Sequence, residues 1–238
     1  MEKYLNESLD DQFQQIENLS WLPWIGVNYM NLPVGKRLLI VGESHYVPDG
    51  ENDEGNITTY TDINWTREFI LKEGLYNYGN DASNPLIVNL EKTIFNKKPN
   101  LDDKIKLWSN VAFFNITQTL LDSIKNRPDH EMKIVGRNAF FQLVKLLKPD
   151  ICLFGGVAFS DYVAAKYEVI ENINYELIEF KKSQKISKTY PRSATLSNKE
   201  NHKLTFVFVK HPSKYYSWDI WAEFVYSNMG GYIDWIKE

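Results

Sequence analysis

Four stretches of the chain share one pattern, an uninterrupted apolar run that ends in a polar cluster. Leu38-Leu39-Ile40-Val41 precedes Gly42-Glu43-Ser44-His45-Tyr46, and Val111-Ala112-Phe113-Phe114 precedes Asn115. Ile151-Cys152-Leu153-Phe154 runs into Gly155-Gly156, and Phe206-Val207-Phe208-Val209 runs into Lys210-His211-Pro212-Ser213. A short continuous apolar run bounded by a turn signal reads as a strand buried on both faces, as in a parallel sheet. In open parallel sheets, ligands bind just beyond the carboxyl ends of the strands. The four polar clusters, remote in sequence, are therefore expected to meet at one rim.

The segments between these runs read mostly as helices. Leu5, Leu9, Phe13, Ile16 and Leu19 predict an amphipathic helix over 5–20, within an N-terminal helical extension covering 1–35. Residues 47–61 are rich in Gly, Asp, Asn and Thr and read as a long loop. Helices are predicted over 62–72 with Asp62 as N-cap, over 84–95, 101–110 and 138–147, from Phe159 or Ser160 onward, and over 218–226. Residues 174–179 alternate weakly, as an edge strand would, and 181–203 read as a basic loop before the last strand at 204–209. Strands alternating with helices imply right-handed crossovers and helices on both faces of the sheet. The expected fold is α/β, one domain over 1–238, built as a three-layer α/β/α sandwich around a central, mostly parallel four-stranded sheet.

Composition narrows the function classes. With 238 residues, 43% hydrophobic and 24% charged, the chain can bury one sizeable core. No apolar stretch approaches the roughly 20 residues of a membrane span, and the start is no signal peptide. A cytoplasmic monomer without a membrane partner is expected. The lone cysteine, Cys152, has no partner for an intramolecular disulfide, and no Cys cluster exists to hold zinc or iron–sulfur, so a buried, inert thiol is expected.

Net charge is −4, yet 181–214 holds nine Lys or Arg against one acid, Glu200. That stretch reads either as a phosphate-facing surface or as a solvated lysine-rich loop. Aromatics make up 14% of the chain, which serves the core and also supplies rings that stack on flat ligands.

The residues at the strand ends have definite chemistry. An Asn amide such as that of Asn115 donates to one edge atom of a pyrimidine and accepts from the next. An imidazole such as that of His211 donates to an oxygen that gains charge as a leaving group departs. Glu43 is the carboxylate within the first cluster.

In this order the segments resemble the uracil-DNA glycosylase superfamily, which writes G-Q-D-P-Y-H or G-E-x-P-G after its first strand. An Asn follows a middle strand, a Gly-containing turn comes next, and H-P-S follows the last strand. The matching positions are Gly42-Glu43-Ser44-His45-Tyr46, Phe114-Asn115, Leu153-Phe154-Gly155 and His211-Pro212-Ser213, over roughly residues 37–225. The resemblance implies excision of uracil or another modified base, flipped out of single- or double-stranded DNA, without metal or cofactor. Within it His211 stabilises the leaving base, Glu43 positions water, Asn115 reads the base and Tyr46 walls the pocket. Gly42, Ser44 and His45 complete the substrate contacts. Lys210, Ser213 and Lys214 contact phosphate, and Tyr215 wedges into the space that the flipped base vacates.

Ser44 stands where the family's G-Q-D form has Asp, and His45 where it has Pro. Tyr60, Trp65 and Phe69 all lie where a stacking ring is expected, and the sequence does not choose among them. Two other readings remain. The scaffold binds nucleobases or DNA without turnover, or Gly42-Glu43-Ser44-His45-Tyr46 half-matches the G-x-S-x-G turn of serine hydrolases, with Ser44, Asp150 and His211 in triad order.

Overall fold

The computed structural model describes residues 3–76, 84–164, 175–213 and 215–237. Among them seven strands form one mixed sheet: β1 (Trp24–Ile25), β2 (Leu38–Gly42), β3 (Ala112–Asn115), β4 (Ile151–Gly155), β5 (Tyr175–Lys182), β6 (Arg192–Asn198) and β7 (Lys203–Val209). The order across the sheet is β1-β3-β2-β4-β7-β6-β5. The four apolar runs are the parallel centre, β3-β2-β4-β7, with Gly42 opposite Asn115, Val41 opposite Phe154 and Gly155 opposite Val209. β1 adds antiparallel to β3, and β6 and β5 add antiparallel beyond β7.

Helices α1 (Asp10–Phe13), α2 (Glu54–Thr61), α3 (Trp65–Ile70, continued by a π-helical stretch Leu71–Tyr76), α4 (Pro85–Phe95), α5 (Leu101–Asn110), α6 (His130–Leu147), α7 (Ser160–Val163) and α8 (Trp218–Lys237) surround the sheet. Every residue of β2 and β4 is buried, as strands covered on both faces require. Alternation along the strands makes two cores. Val41, Phe114, Phe154, Phe206 and Phe208 pack with Phe140, Phe141 and Val144 of α6. Ile40, Phe113, Leu153 and Val207 pack with residues of α4, α5 and α8 on the other face, including Leu90, Trp108 and Trp221. Cys152 is buried within β4, and burial pushes its thiol pKa well up. Among the described residues no helix is long and apolar enough to cross a membrane.

The sheet is thus larger than four strands, and the reasons are local. β1 has two residues, too few to carry a periodic signal. β6 lies inside the supposed basic loop and reads Arg-Ser-Ala-Thr-Leu-Ser-Asn, with only Ala194 and Leu196 buried. β5 is an exposed edge strand, and Lys181–Glu179 is an ion pair along it at 2.8 Å. The expected helix over 5–20 shrinks to α1. Leu5 bridges to Gly26, and Asn18 turns the chain at φ 61°, so burying Phe13 and Ile16 outweighs helical continuity.

The expected loop 47–61 contains α2, capped by Asp53, whose carboxylate accepts from the Asn56 amide at 3.0 Å. α3 starts after Asn64 rather than at Asp62. α6 begins eight residues before Asn138, because Asp129 caps it by accepting from Met132. α8 runs well beyond Tyr226.

Candidate active site

The parallel register carries the ends of β3, β2, β4 and β7 to one edge. Pairing continues past the strands. The amides of Ile116 and Thr117 donate to the carbonyls of Gly42 (3.0 Å) and Glu43 (2.9 Å), and Tyr46 bridges to Leu121. Gly42 is a glycine for a packing reason: a Cβ there would overlap the Oδ1 of Asn115. Gly155 is another, since its Cβ would sit 3.2 Å from the Pro212 ring. The His-Pro-Ser loop therefore rests directly on the end of β4. Asn89 of α4 holds it from outside, donating its amide to the carbonyls of Pro212 (3.1 Å) and Ser213 (3.3 Å).

Glu43, His211 and Arg127 form one electrostatic group. The Glu43 side chain is 11% exposed and lies 3.9 Å from the Arg127 guanidinium. Gly156, at φ 154°, leaves room beside this carboxylate, whose Oε2 would be 3.4 Å from a Cβ there. Burial lowers the pKa of His211; Glu43 opposes that shift and Arg127 adds to it. A neutral imidazole carries one N–H donor. The edge thus offers a carboxylate able to accept a proton and an uncharged donor near it.

Asn115 is 3% exposed and sits beside His45. Its Nδ2 is 3.1 Å from His45 Nε2, which is also 2.8 Å from Thr66 Oγ1. Trp21, Phe69 and Trp65 surround the His45 ring at centroid distances of 4.9, 6.1 and 6.4 Å. Burial in this aromatic cage pushes the His45 pKa down to about 3, so the ring is neutral. A neutral ring has one protonated and one unprotonated nitrogen, so Nε2 either accepts from the Asn115 N–H or donates to the Thr66 hydroxyl, according to the tautomer.

Asn115 Oδ1 remains buried without a hydrogen-bond partner among the described residues, as does the Oγ1 of Thr117 two residues on. Unpaired buried acceptors cost about 1–3 kcal/mol each and are rare. Asn115 and His211 share the edge, separated by three strand spacings, about 14 Å of sheet width.

The remaining expected residues surround this centre. Ser44 and Ser213 are partly exposed, and Tyr46 is half-buried, which raises its pKa. The Lys210 ammonium donates to the Tyr215 carbonyl at 2.7 Å, while the Tyr215 ring is 89% exposed on a backbone at φ 63°. Lys214 lies outside the described residues. Of the three candidate stacking rings, Trp65 and Phe69 face His45, while Tyr60 packs on Trp65 and donates its hydroxyl to Glu51.

The β5–β6 hairpin divides the basic stretch. Lys181, Lys182, Lys185, Lys188 and Arg192 lie toward the site edge, and Lys199 and Lys203 toward the opposite one. Lys182 and Lys185 lie over the Tyr190 ring, and Arg192 pairs with Asp161.

Asp150 stands before β4, where its carboxylate accepts from the Arg37 amide at 2.9 Å. Ser44 and His211 follow the other ends of the strands, a strand length of about 16 Å away. The order Ser44, Asp150, His211 therefore does not assemble into a triad. Arg127, Asn89 and Thr66 join the site without a motif to announce them; the turn-forming Asn126-Arg127-Pro128 is the only local signal for Arg127. Among the described residues no three His, Cys, Asp or Glu side chains gather to hold a metal ion. Compared with protein-family models and with curated proteins, the chain finds no match in either.

Proposed function

We propose that this chain is a base-excision glycosylase that hydrolyses the N-glycosidic bond of uracil or another modified base in DNA, on a three-layer α/β/α scaffold. The observation that carries the reading is the gathering of Glu43, Arg127 and His211 at the carboxyl ends of parallel strands, with Arg127 3.9 Å from the Glu43 carboxylate and both charges acting on the buried imidazole. As the C–N bond breaks, the base departs with the bonding electron pair, and the His211 N–H stabilises the charge gathering on its carbonyl oxygen. Water adds to the sugar carbon and gives its proton to Glu43. Asn115 Oδ1, buried against Gly42 without a hydrogen-bond partner among the described residues, accepts from a base edge and its amide N–H donates to one once the side chain turns away from Gly42 and His45. Tyr215, exposed on a left-handed backbone, fills the space left in the stack.

The test is release of free base from oligonucleotides carrying uracil, 5-hydroxymethyluracil or hypoxanthine, single- and double-stranded. His211→Ala and Glu43→Gln lower the excision rate by about 10²- to 10⁴-fold, the usual share of an acid–base group. Asn115→Ala reduces discrimination among bases. A second reading, a nucleobase-binding protein without turnover, draws on the His45 ring that holds the Asn115 amide and on Ser44 in the family's Asp position. Salt-sensitive DNA binding with no base released from any substrate would select it.

A further inference from the structure

A cleft of 440 Å³ opens beside the site, between the segment after β3 and the start of α6. Leu121 and Met132 give it apolar walls, Lys125 and Arg127 bring two cations, and Asp122 is the acid of its lining. It is continuous with the candidate active site. Leu121 pairs with Tyr46, and the same Arg127 that lines the cleft reaches Glu43 at 3.9 Å. The Arg127 Nη1 also donates to the carbonyls of Ile124 (3.1 Å) and Asn126 (3.2 Å), so its own loop orients the planar fork. Its side chain is nevertheless 71% exposed. The Lys125 side chain is exposed and forms no ion pair among the described residues.

We infer that this cleft seats one phosphodiester of the DNA strand next to the excised nucleotide, held by Arg127 and Lys125. An oriented guanidinium recognises a phosphate through paired N–H donors, and the lysine adds a point charge. The apolar walls suit the sugar, and Asp122 bars a second phosphate from the same space. The seat lies on the β3 side of Glu43 and His211, opposite the basic β5–β6 hairpin, so a bound strand crosses the reacting centre. This assignment rests on the proposed strand substrate, though not on turnover.

The probe is a fluorescein-labelled single-stranded 12-mer with one uracil, followed by anisotropy across a potassium chloride series. Arg127→Gln and Lys125→Gln each bind more weakly at low salt, and each lowers the slope of log Kd against log salt by about 0.7, the value for one phosphate contact on a single strand. Lys203→Gln, at the opposite sheet edge, leaves affinity and slope unchanged. Both cleft side chains are exposed, and circular dichroism verifies that the variants fold.

Unchanged slopes in both cleft variants, or no oligonucleotide binding by the unaltered protein, overturn the inference. A free-phosphate site is the outcome if inorganic phosphate at matched ionic strength binds the unaltered protein but neither variant, while the 12-mer slopes stay unchanged; that too overturns it. Reduced slopes without base release retain the phosphate seat and reject the glycosylase reading, while base release with unchanged slopes does the reverse.

Discussion

Acid should destabilise this protein through His45. Its ring is 6% exposed inside the cage of Trp21, Trp65 and Phe69, and burial holds its pKa at about 3. The same side chain in the unfolded chain titrates near 6.5. A folded-state pKa below the unfolded one means that the unfolded chain takes up the proton first. The folded state keeps its full stability above about pH 6.5 and loses it as pH falls toward 3. At pH 4.5 the unfolded ring is about two pH units below its pKa while the folded ring is still neutral, a loss of about 3 kcal/mol relative to pH 8.

His211, also depressed by burial, adds to the loss in the same direction. Asp53 and Asp103 have lowered pKa values, so they act mainly below about pH 4, where ordinary carboxylates titrate. His45→Leu is the matched perturbation. It forfeits the contacts to Asn115 and Thr66 and is less stable at pH 8, but its further loss on going to pH 4.5 is smaller than that of the unaltered protein by about 3 kcal/mol. Urea unfolding followed by tryptophan fluorescence at both pH values measures the difference. Equal acid losses in the two proteins, or a His45 proton resonance that titrates near pH 6.5, would refute the reasoning.

Two further outcomes follow from the charged groups. Glu43 raises the pKa of His211 and Arg127 lowers it, so Glu43→Gln moves the His211 titration to lower pH and Arg127→Gln moves it to higher pH, read from imidazole chemical shifts; no movement in either variant would separate these groups. Lys104 lies buried against Glu91, which is 1% exposed and also accepts from Trp108. Burial raises the Glu91 pKa and Lys104 opposes it. Lys104→Met strands that carboxylate and costs about 3–5 kcal/mol in chemical unfolding, and the double variant Lys104→Met, Glu91→Met recovers most of it.

The centre of the sheet was legible because its strands are buried on both faces. β2, β3, β4 and β7 must be apolar at nearly every position, and such runs stand out between turn residues. The edges were only partly so. The weak alternation over 174–179 marked β5 as an edge strand, but β6 buries only Ala194 and Leu196, so its backbone pairing leaves little trace in hydrophobicity. The helix expected over 5–20 failed for a related reason: its apolar spacing is real, but Leu5 is spent on a bridge to Gly26 and Phe13 on the core.

At the site, the chain by itself determined that Glu43, Asn115 and His211 would come to one edge, because each follows a buried strand and parallel strands align their carboxyl ends. Only the tertiary structure decided what each of them touches. Arg127 reaches Glu43 from a loop 84 positions along the chain, Asn89 holds the His211 loop from a distant helix, and Thr66 and three aromatic rings close around the His45 ring that meets Asn115. Strand ends are set by local patterns of burial, whereas charge pairing, desolvation and orphaned hydrogen bonds depend on neighbours that sequence separation does not encode.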